Sequence, residues 1–388
     1  MIDKVENCCG CRSCYNICLH SAIQMKPDNE GFFYPIIDKN KCVNCGQCKK
    51  SCPVINQPKN NTLNKAFACY SVDFDKRMRS CSGAVFALLS EKVLNSDGVI
   101  YGAAFNNDCQ VHHICVSDSE GLEKLKGSKY IQSDIGFTYL NAQRSLKSGK
   151  LVLFSGTPCQ IAGLKQYLKK DYENLFCIDL ICHGVPSPMI WEKYLNEISP
   201  EHTIVNMSFR NKENGIKNKT LDYTLDNGDV IKEKYEESDY IKGFIQNMYL
   251  RPSCYSCKFK GFDRCSDITI GDFWGLKNYY PNFGDDYGVS AVITHSNKGL
   301  EFFESLKDDL CLIEVEPNQV ATYNESLLEP AKMNPRRNEL FERMSTESIH
   351  SIVTSMYDNS FWDQCISTNE THQFSIKKTL KRLFNIIK

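Results

Sequence analysis

From Gly83 to Ile198 the chain alternates between two hydrophobic rhythms. "GAVFALLSEKVL" places Val85, Leu88, Leu89 and Leu94 near a 3.6-residue spacing, which predicts an amphipathic helix. "GVIYGAAF" and "HHICVS" then predict strands, "FTYLNAQRSL" a helix, "LVLFSG" a strand and "QIAGLKQYLKK" a helix. "NLFCIDLI" and "SPMIWEKYLNEI" repeat the strand–helix step. Further on, "LDYTLDNGDVIKEK" predicts a hairpin turning at Asp226-Asn227-Gly228. "SDYIKGFIQNMYL" predicts a helix, and "DITIGDFW" and "VSAVITH" predict strands. Strands alternating with helices build a mixed α/β domain with a largely central sheet, expected over 66–316. Chemistry in such a fold sits in loops at strand ends. A polar linker, Asn56 to Lys65, separates it from residues 1–57. From Pro317 the motifs thin out, and "NPRRNELFERMSTESIHSIVTSM" predicts helices within a C-terminal region 317–388.

Composition changes this picture at one point only. Hydrophobic residues at 42% and charged residues at 24% describe a globular chain. A formal net charge of -1 leaves no global positive field, which argues against a general nucleic-acid binder. The start lacks a charged n-region, apolar h-region and cleavage site, so no signal peptide is expected. No stretch approaches the roughly 20 apolar residues that span a bilayer. Cysteine is the outlier, with 21 in the chain. An odd count in a long chain without a signal sequence points to metal or redox chemistry in a reducing cytoplasm rather than to a disulfide framework.

The N-terminus reads Cys8-x2-Cys11-x2-Cys14-x3-Cys18, and the same pattern recurs 34 residues on as Cys42-x2-Cys45-x2-Cys48-x3-Cys52-Pro53. Three cysteines at two-residue gaps wrap one side of a cubane, while the fourth serves the other cluster. Cys8, Cys11, Cys14 and Cys52 are therefore expected to hold one [4Fe-4S] cluster, and Cys42, Cys45, Cys48 and Cys18 the second. Zinc is the alternative, but it favours paired CxxC knuckles over a triple run closed by Cys-Pro. Cys9 falls outside the pattern and reads as a spare thiol. "GFFYPIIDKN" reads as the hairpin between the halves. The segment 1–57 resembles a bacterial two-cluster ferredoxin, with Leu19 standing where that family usually has proline.

Three later loops carry cysteines that look placed for chemistry. Cys159 in Gly156-Thr157-Pro158-Cys159-Gln160 and Cys182 in Cys182-His183-Gly184 each end a predicted strand, and Cys254-x2-Cys257 follows a helix. Two strand-end loops and a CxxC pair together offer four thiolates, so a third [4Fe-4S] cluster is expected on Cys159, Cys182, Cys254 and Cys257. Cys265 competes for one of these places. The plainer reading is a zinc knuckle at Cys254 and Cys257, with Cys159 and Cys182 as buried thiols. His183 either donates to cluster sulfur or satisfies a loop carbonyl.

"RSCSGAVFALL", "GVIYGAAF", "GSKYIQS", "LFSGTPCQIAGLK", "DLICHGVPS" and "CYSCKFKGFDRCSDITIGDFWG", in that order, resemble the coenzyme F420 hydrogenase/dehydrogenase beta-subunit family. More narrowly, they resemble its bacterial members with a fused two-cluster ferredoxin. The resemblance runs from about Arg77 to Thr294. It implies FAD beside an iron–sulfur cluster, with electrons exchanged with a second carrier, for which coenzyme F420 is one candidate. It also places Gly127-Ser128-Lys129-Tyr130 against the flavin, with Lys129 able to stabilise the anionic reduced ring as the catalytic residue. Lys129 as an ordinary solvated loop lysine is the alternative. Independently, Arg79, Ser80, Ser82 and Gly83 stand before a helix, after Lys76 and Arg77, as a pyrophosphate site would require. An ordinary Ser-Gly helix cap explains the same residues. Ala84 replaces a second glycine common in the family. Thr157 beside Cys159 is a further candidate contact to sulfide or flavin.

The expected fold class is thus an α+β ferredoxin-like two-cluster domain, then a mixed α/β flavin and iron–sulfur domain, then a helical tail. The expected function is that of an iron–sulfur flavoprotein oxidoreductase that exchanges electrons with a redox partner protein or small carrier. A non-catalytic electron-transfer adaptor is the alternative, and a flavin-free redox sensor a third reading. Many bacterial members of the family accompany surface-polysaccharide genes. At the end of the chain Ile376, Leu380, Leu383, Phe384 and Ile387 share one helical face, with Lys377, Lys378, Lys381, Arg382 and Lys388 around the rest. Residues 375–388 either touch an anionic membrane surface or dock on protein.

Overall fold

The protein is described by a computed structural model over residues 4–358. The basic tail at 375–388 lies outside the described residues. In the N-terminal module β1 (Ile23–Pro27) and β2 (Phe33–Ile37) pair antiparallel, with Ile23 opposite Ile37. "GFFYPIIDKN" therefore supplies only the second strand of the hairpin. The Asp28 carboxylate closes the turn by accepting from the N–H groups of Glu30 at 3.0 Å and Phe32 at 2.9 Å, as Asx turns do.

Beyond the module the chain lays down β3 (Lys65–Ser71), β4 (Val99–Phe105), β5 (Val111–Val116), β6 (Val152–Gly156) and β7 (Leu175–Leu180). Next come β8 (Ile204–Asn211), β9 (Thr220–Leu225) and β10 (Val230–Lys234), then β11 (Ile268–Asp272), β12 (Ser290–Thr294) and β13 (Leu310–Val315). β8 to β10 form their own sheet, in the order β10-β9-β8. The other eight strands form one sheet, in the order β13-β3-β12-β11-β7-β6-β4-β5. Its inner strands β11, β7, β6 and β4 run parallel, and antiparallel strands complete both edges.

The parallel centre follows from its sequence. Val152, Leu153 and Phe154 are all fully buried because helices cover both faces of the sheet. Val152 and Phe154 pack with Tyr139, Ile161 and Leu164 on one face. Leu153 packs with Leu88 and Leu89 on the other. Parallel strands share one carboxyl edge, so the loops after Phe105, Gly156, Leu180 and Asp272 open on the same side, where α/β sheets place their ligands.

Every helix and strand expected between Gly83 and Thr294 is present, with the helix from Ser238 stopping early, as Asp239–Ile245. Strands β3, β8 and β13 have no counterpart in the hydrophobic pattern. β3 abuts the polar linker, and β8 breaks alternation with register shifts at Ile204/Asn206 and Ser208/Asn211. The helices Arg337–Arg343 and Ile349–Met356 push Leu340, Ile349, Ile352 and Val353 into the core that holds Trp191, Tyr240 and Phe209. This part of the region past 317 is thus packed as part of the α/β body. Among the described residues no helix is long and apolar enough to cross a membrane.

Candidate redox centres

The module presents two cysteine cages with opposite exposures. Cys18, Cys42, Cys45 and Cys48 line a single cavity together with His20, Val43 and Gln47. This is the set that the repeat assigns to the second cluster. Cys45 is exposed, and the Ala22 N–H approaches Cys18 Sγ at 3.3 Å. In the other cage Cys14 is pushed up to about 12 by burial, then by the charges of Cys8, Cys52 and Cys48. Burial and the charges of Cys8 and Cys48 also raise Cys52. Cys11 is buried and within electrostatic reach of Cys8 and Cys14. Mutual proximity of Cys8, Cys11, Cys14 and Cys52 agrees with the first cluster's ligand set, and Cys48 shows the two cages to be neighbours.

The buried cage faces the α/β body. Arg12 pairs with Asp134 at 2.6 Å, and Asn16 donates to the Gly136 carbonyl at 2.8 Å. Gly163, in the helix Pro158–Leu168, leaves no room for a methyl group. A Cβ there would lie 2.9 Å from Cys11 Cβ and 2.9 Å from the Tyr139 hydroxyl. Gly163→Ala is therefore expected to destabilise the protein by about 1–3 kcal/mol through overpacking and to reduce iron loading at Cys11. Denaturant midpoints and iron content of anaerobically prepared protein check this.

A third cage lies at the carboxyl edge of the sheet. The Pro158–Leu168 helix begins directly after β6, with the Gln160 side chain accepting from the Thr157 N–H at 2.9 Å. That cap fixes the loop and holds Cys159 at the end of its strand. Cys182 comes off the adjacent parallel strand β7, and the turn Pro252–Ser256 brings Cys254 and Cys257 across. Cys159, Cys182, Cys254 and Cys257 line one cavity, with Lys260 and Arg264 beside them. Burial pushes Cys182 up to about 12, against the pull of Lys260, with Cys159 and Cys257 adding to the rise. Burial raises Cys254 too, with Cys182, Cys159 and Cys257 contributing. Cys265 packs with Cys177 in the core beneath and is not among the lining residues, so geometry favours the loop cysteines over their competitor. Among the described residues no three His, Cys, Asp or Glu side chains close on a single-ion point.

Cys9 has more company than a spare thiol should. It lines the third cage and packs with Cys11, Cys159 and Val54. Hydrogen bonding with Cys11, followed by burial, holds its thiol well above the usual range, while Cys159 pulls the other way. It thus stands between the buried module cage and the third one. His183, beside Cys182, is held neutral by burial, its value lowered to about 4, and its Nδ1 lies 3.2 Å from Ser326 Oγ.

The flavin candidates meet at a second place on the same edge. Cys81 Sγ accepts from the Ser128 N–H at 2.6 Å and the Ser128 hydroxyl at 3.1 Å, which joins the loop 80–84 to Gly127–Tyr130. Lys129 Nζ donates to the carbonyls of Leu125, Lys126 and Gly127 at 3.3, 2.9 and 3.2 Å. Burial lowers it to about 8, with Cys81 opposing. The Tyr130 ring packs on Phe209 and on Phe244, which also touches His183. Phe244 thereby bridges the flavin candidates and the third cage.

The phosphate-loop expectation needs correction at four residues. Lys76 is spent on Glu91 at 2.7 Å, and Arg77 is buried on Asp285 and the Gly288 carbonyl. The Ser80 hydroxyl donates to the Lys76 carbonyl at 2.9 Å. The Gly83 N–H donates to Ser290 Oγ at 2.9 Å, and a Cβ there would lie 2.3 Å from the Cys69 carbonyl oxygen. Gly83 is thus a packing glycine against β3, not a ligand contact. Arg79 is exposed. Thr157 Oγ1 lies 3.1 Å from Cys159 Sγ, which ties it to the third cage.

Ser82 remains; of the polar groups around it Asp272 stands in the "GDFWG" stretch, where it reads either as orienting a ligand or a lysine or as capping the next turn, whereas Arg210 and Lys212 stand in no motif. Lys212 Nζ donates to the Ser82 and Tyr287 carbonyls, each at 2.8 Å. Arg210 Nη1 meets Asp272 Oδ2 at 2.6 Å. Ser82 Oγ, Arg210 Nε and Nη2, and Asp272 Oδ1 are all buried without a hydrogen-bond partner among the described residues. Orphaned buried groups of this kind need an explanation. Guanidinium donors beside a carboxylate acceptor and a hydroxyl suit a planar heterocycle whose edge alternates acceptors and N–H.

A thiol-caged hairpin module joined to an α/β body defines an iron–sulfur electron-transfer protein of the oxidoreductase class. Residues 7–56 match the 4Fe-4S dicluster domain, and residues 149–320 match the family described as the C terminus of the coenzyme F420 hydrogenase/dehydrogenase beta subunit. Over residues 149–320 the chain is thus similar to this beta-subunit family. It is 26% identical over 282 residues to an uncharacterized protein of Methanocaldococcus jannaschii, covering 68% of this chain and 70% of that one. An uncharacterized ferredoxin of the same organism is 32% identical over 93 residues, covering 23% of this chain and 58% of that protein. Among solved structures, a chain of the F420-reducing [NiFe] hydrogenase complex from Methanosarcina barkeri overlays with a TM-score of 0.45 at 15% identity, covering 76% of this chain and 92% of that chain.

Proposed function

We propose that this chain is an iron–sulfur flavoprotein oxidoreductase with three [4Fe-4S] clusters and one flavin. It would exchange single electrons through the ferredoxin module and two electrons at the flavin. The orphaned polar set at Ser82, Arg210 and Asp272 carries the flavin part of this reading, and the cavity lined by Cys159, Cys182, Cys254 and Cys257 carries the third cluster. When bound, the clusters supply one-electron transfer and the flavin converts between one- and two-electron chemistry.

The rest of the proposal concerns the chain's own residues. Arg210 would donate to ring acceptors and Asp272 accept a ring N–H, while Lys212 anchors the loop beneath them. Lys129 holds a proton at Nζ and, with its value at about 8, can release or take one close to neutral pH. Lys258, Lys260 and Arg264, which line the third cage, offset negative charge there. Coenzyme F420 as the second carrier rests on the family's name alone. The adaptor reading draws on the family's description as a beta subunit; two-electron turnover by the isolated chain, with no partner present, would dismiss it.

Anaerobic purification with iron and flavin counts tests the proposal. Three clusters give about twelve iron atoms per chain, with one flavin. About eight iron atoms and no flavin would overturn both parts. The flavin site has its own test in Arg210→Met combined with Asp272→Leu, which removes both charges and leaves neither buried alone. We expect flavin content to fall about tenfold or more, as the loss of charge-assisted hydrogen bonds implies, with iron unchanged. Full flavin retention in the double variant would sink this site.

A further inference from the structure

The two module cages differ in what surrounds them. The Cys8–Cys14 cage is covered by the α/β body, whereas the cavity of Cys18, Cys42, Cys45 and Cys48 opens outward through the exposed Cys45. Two large apolar side chains beside it have no cover: Leu19 is 93% exposed and Val43 57%. Residues 39–50 carry four lysines, Lys39, Lys41, Lys49 and Lys50, and no acidic residue. All four are exposed. Lys169 joins them from the body, its Nζ donating to Gln47 Oε1 at 2.7 Å. Among the described residues no carboxylate lines the cavity. The acidic neighbour in sequence, Asp38, approaches Lys41 at 3.8 Å. In a chain of net charge -1, this is a local concentration of positive charge.

We infer that this face is the docking surface of a small acidic one-electron carrier protein of the ferredoxin or flavodoxin kind. Leu19 and Val43 form an apolar centre beside the exposed cage, and the lysines form the rim. Rim charges of this kind steer a partner of opposite sign and raise its association rate more than its affinity. The contact area of such transient redox encounters is small, which two apolar side chains within a charged rim can provide. The inference rests on the dicluster module and not on the flavin or the third cluster.

The lysines could instead serve only to offset the charge of the cluster itself, and the experiment separates the two roles. Anaerobic full-length protein is mixed in stopped flow with a reduced acidic plant-type ferredoxin, and cluster bleaching is followed at several ionic strengths. A viologen bearing a single sulfonate, which has no net charge in its reduced form, serves as the control reductant. The variant combines Lys39→Glu, Lys41→Glu, Lys49→Glu and Lys50→Glu, with iron content checked. We expect the wild-type rate with ferredoxin to fall steeply as salt rises. At low salt the variant should react about tenfold or more slowly, with the viologen rate unchanged. Loss of the apolar centre in Leu19→Ser with Val43→Ser should slow the ferredoxin reaction while keeping its salt dependence. A wild-type ferredoxin rate indifferent to salt would overturn the inference. Equal slowing with both reductants would assign the lysines to the cluster alone and overturn it as well. Protein lacking flavin but showing the expected salt dependence would leave this inference standing while the flavin proposal falls.

Discussion

Cys159→Ala is expected to lower the iron content of anaerobically purified protein from about twelve to about eight atoms per chain. The repeat-bound clusters at Cys8–Cys18 and Cys42–Cys52 should remain, visible by electron paramagnetic resonance after reduction. Cys159 is the ligand to choose because it faces two ways. It lines the cavity with Cys182, Cys254 and Cys257, and it packs on Cys9 and Cys11 at the edge of the module. The alanine removes one thiolate without touching the Gln160–Thr157 cap that shapes the loop. A cubane with three protein thiolates is left with an open iron, so the cluster should be lost or degrade to a three-iron form. If the proposed flavin is present, electrons delivered to the module should then reach it far more slowly. Unchanged iron would pass the ligand role to Cys9, the remaining thiol of that cavity. Cys265→Ala, by contrast, should leave iron at the wild-type count because Cys265 is packed in the core with Cys177.

How much of this was legible beforehand depended on whether function was written in spacing or in three-dimensional convergence. The repeat of Cys8 to Cys52 predicts two ligand sets from local spacing alone, and the structure gathers Cys18, Cys42, Cys45 and Cys48 around one cavity and Cys8, Cys14 and Cys52 near one another. The convergence of Cys159 and Cys182 was readable because both end strands, and adjacent parallel strands bring their carboxyl ends together. Arg210, Lys212 and Arg251 were not readable. Arg210 and Lys212 lie on and just after β8 with no motif, and Arg251 precedes Cys254-x2-Cys257 without being part of its spacing; their role comes from elements meeting in space. Ser80 and Gly83 misled for a related reason: a Ser-Gly turn before a helix looks the same whether its donors face a ligand or a neighbouring strand. Ser290, which takes the Gly83 N–H, is 207 residues further along the chain. Strand β3 was missed because its pairing partners β12 and β13 lie far along the chain, and local alternation does not register them.

Arg251→Ala should loosen the module from the body, at a cost of about 3–5 kcal/mol. Arg251 is fully buried with no carboxylate among its hydrogen-bond partners. Its guanidinium donates to the Cys8 carbonyl at 2.6 Å, to Gln132 Oε1 at 2.9 Å and to the Phe33 carbonyl at 2.9 Å. It also lies over the Tyr34 ring, 4.4 Å from the centroid. Gln132 in turn donates to the Cys9 carbonyl at 3.1 Å, so one side chain ties the first cysteine loop, the hairpin and the body together. Removing it leaves up to three buried acceptors unpaired, each costing about 1–3 kcal/mol, and creates a cavity. The positive charge has a second effect. It lies beside Cys8 in the module and is close enough to Cys159 to lower that thiol's value, so it stands between two centres that carry net negative charge when loaded. Its loss should move the reduction potentials of both to more negative values, because the reduced, more anionic state loses a nearby cation. Arg251→Lys should rescue the charge but not the fold stability, since one ammonium cannot span three divergent acceptors. Anaerobic urea denaturation and potentiometric titration read the two effects separately. A wild-type midpoint in Arg251→Ala would show that other contacts hold the module, and a potential shift without a stability loss would confine Arg251 to electrostatics.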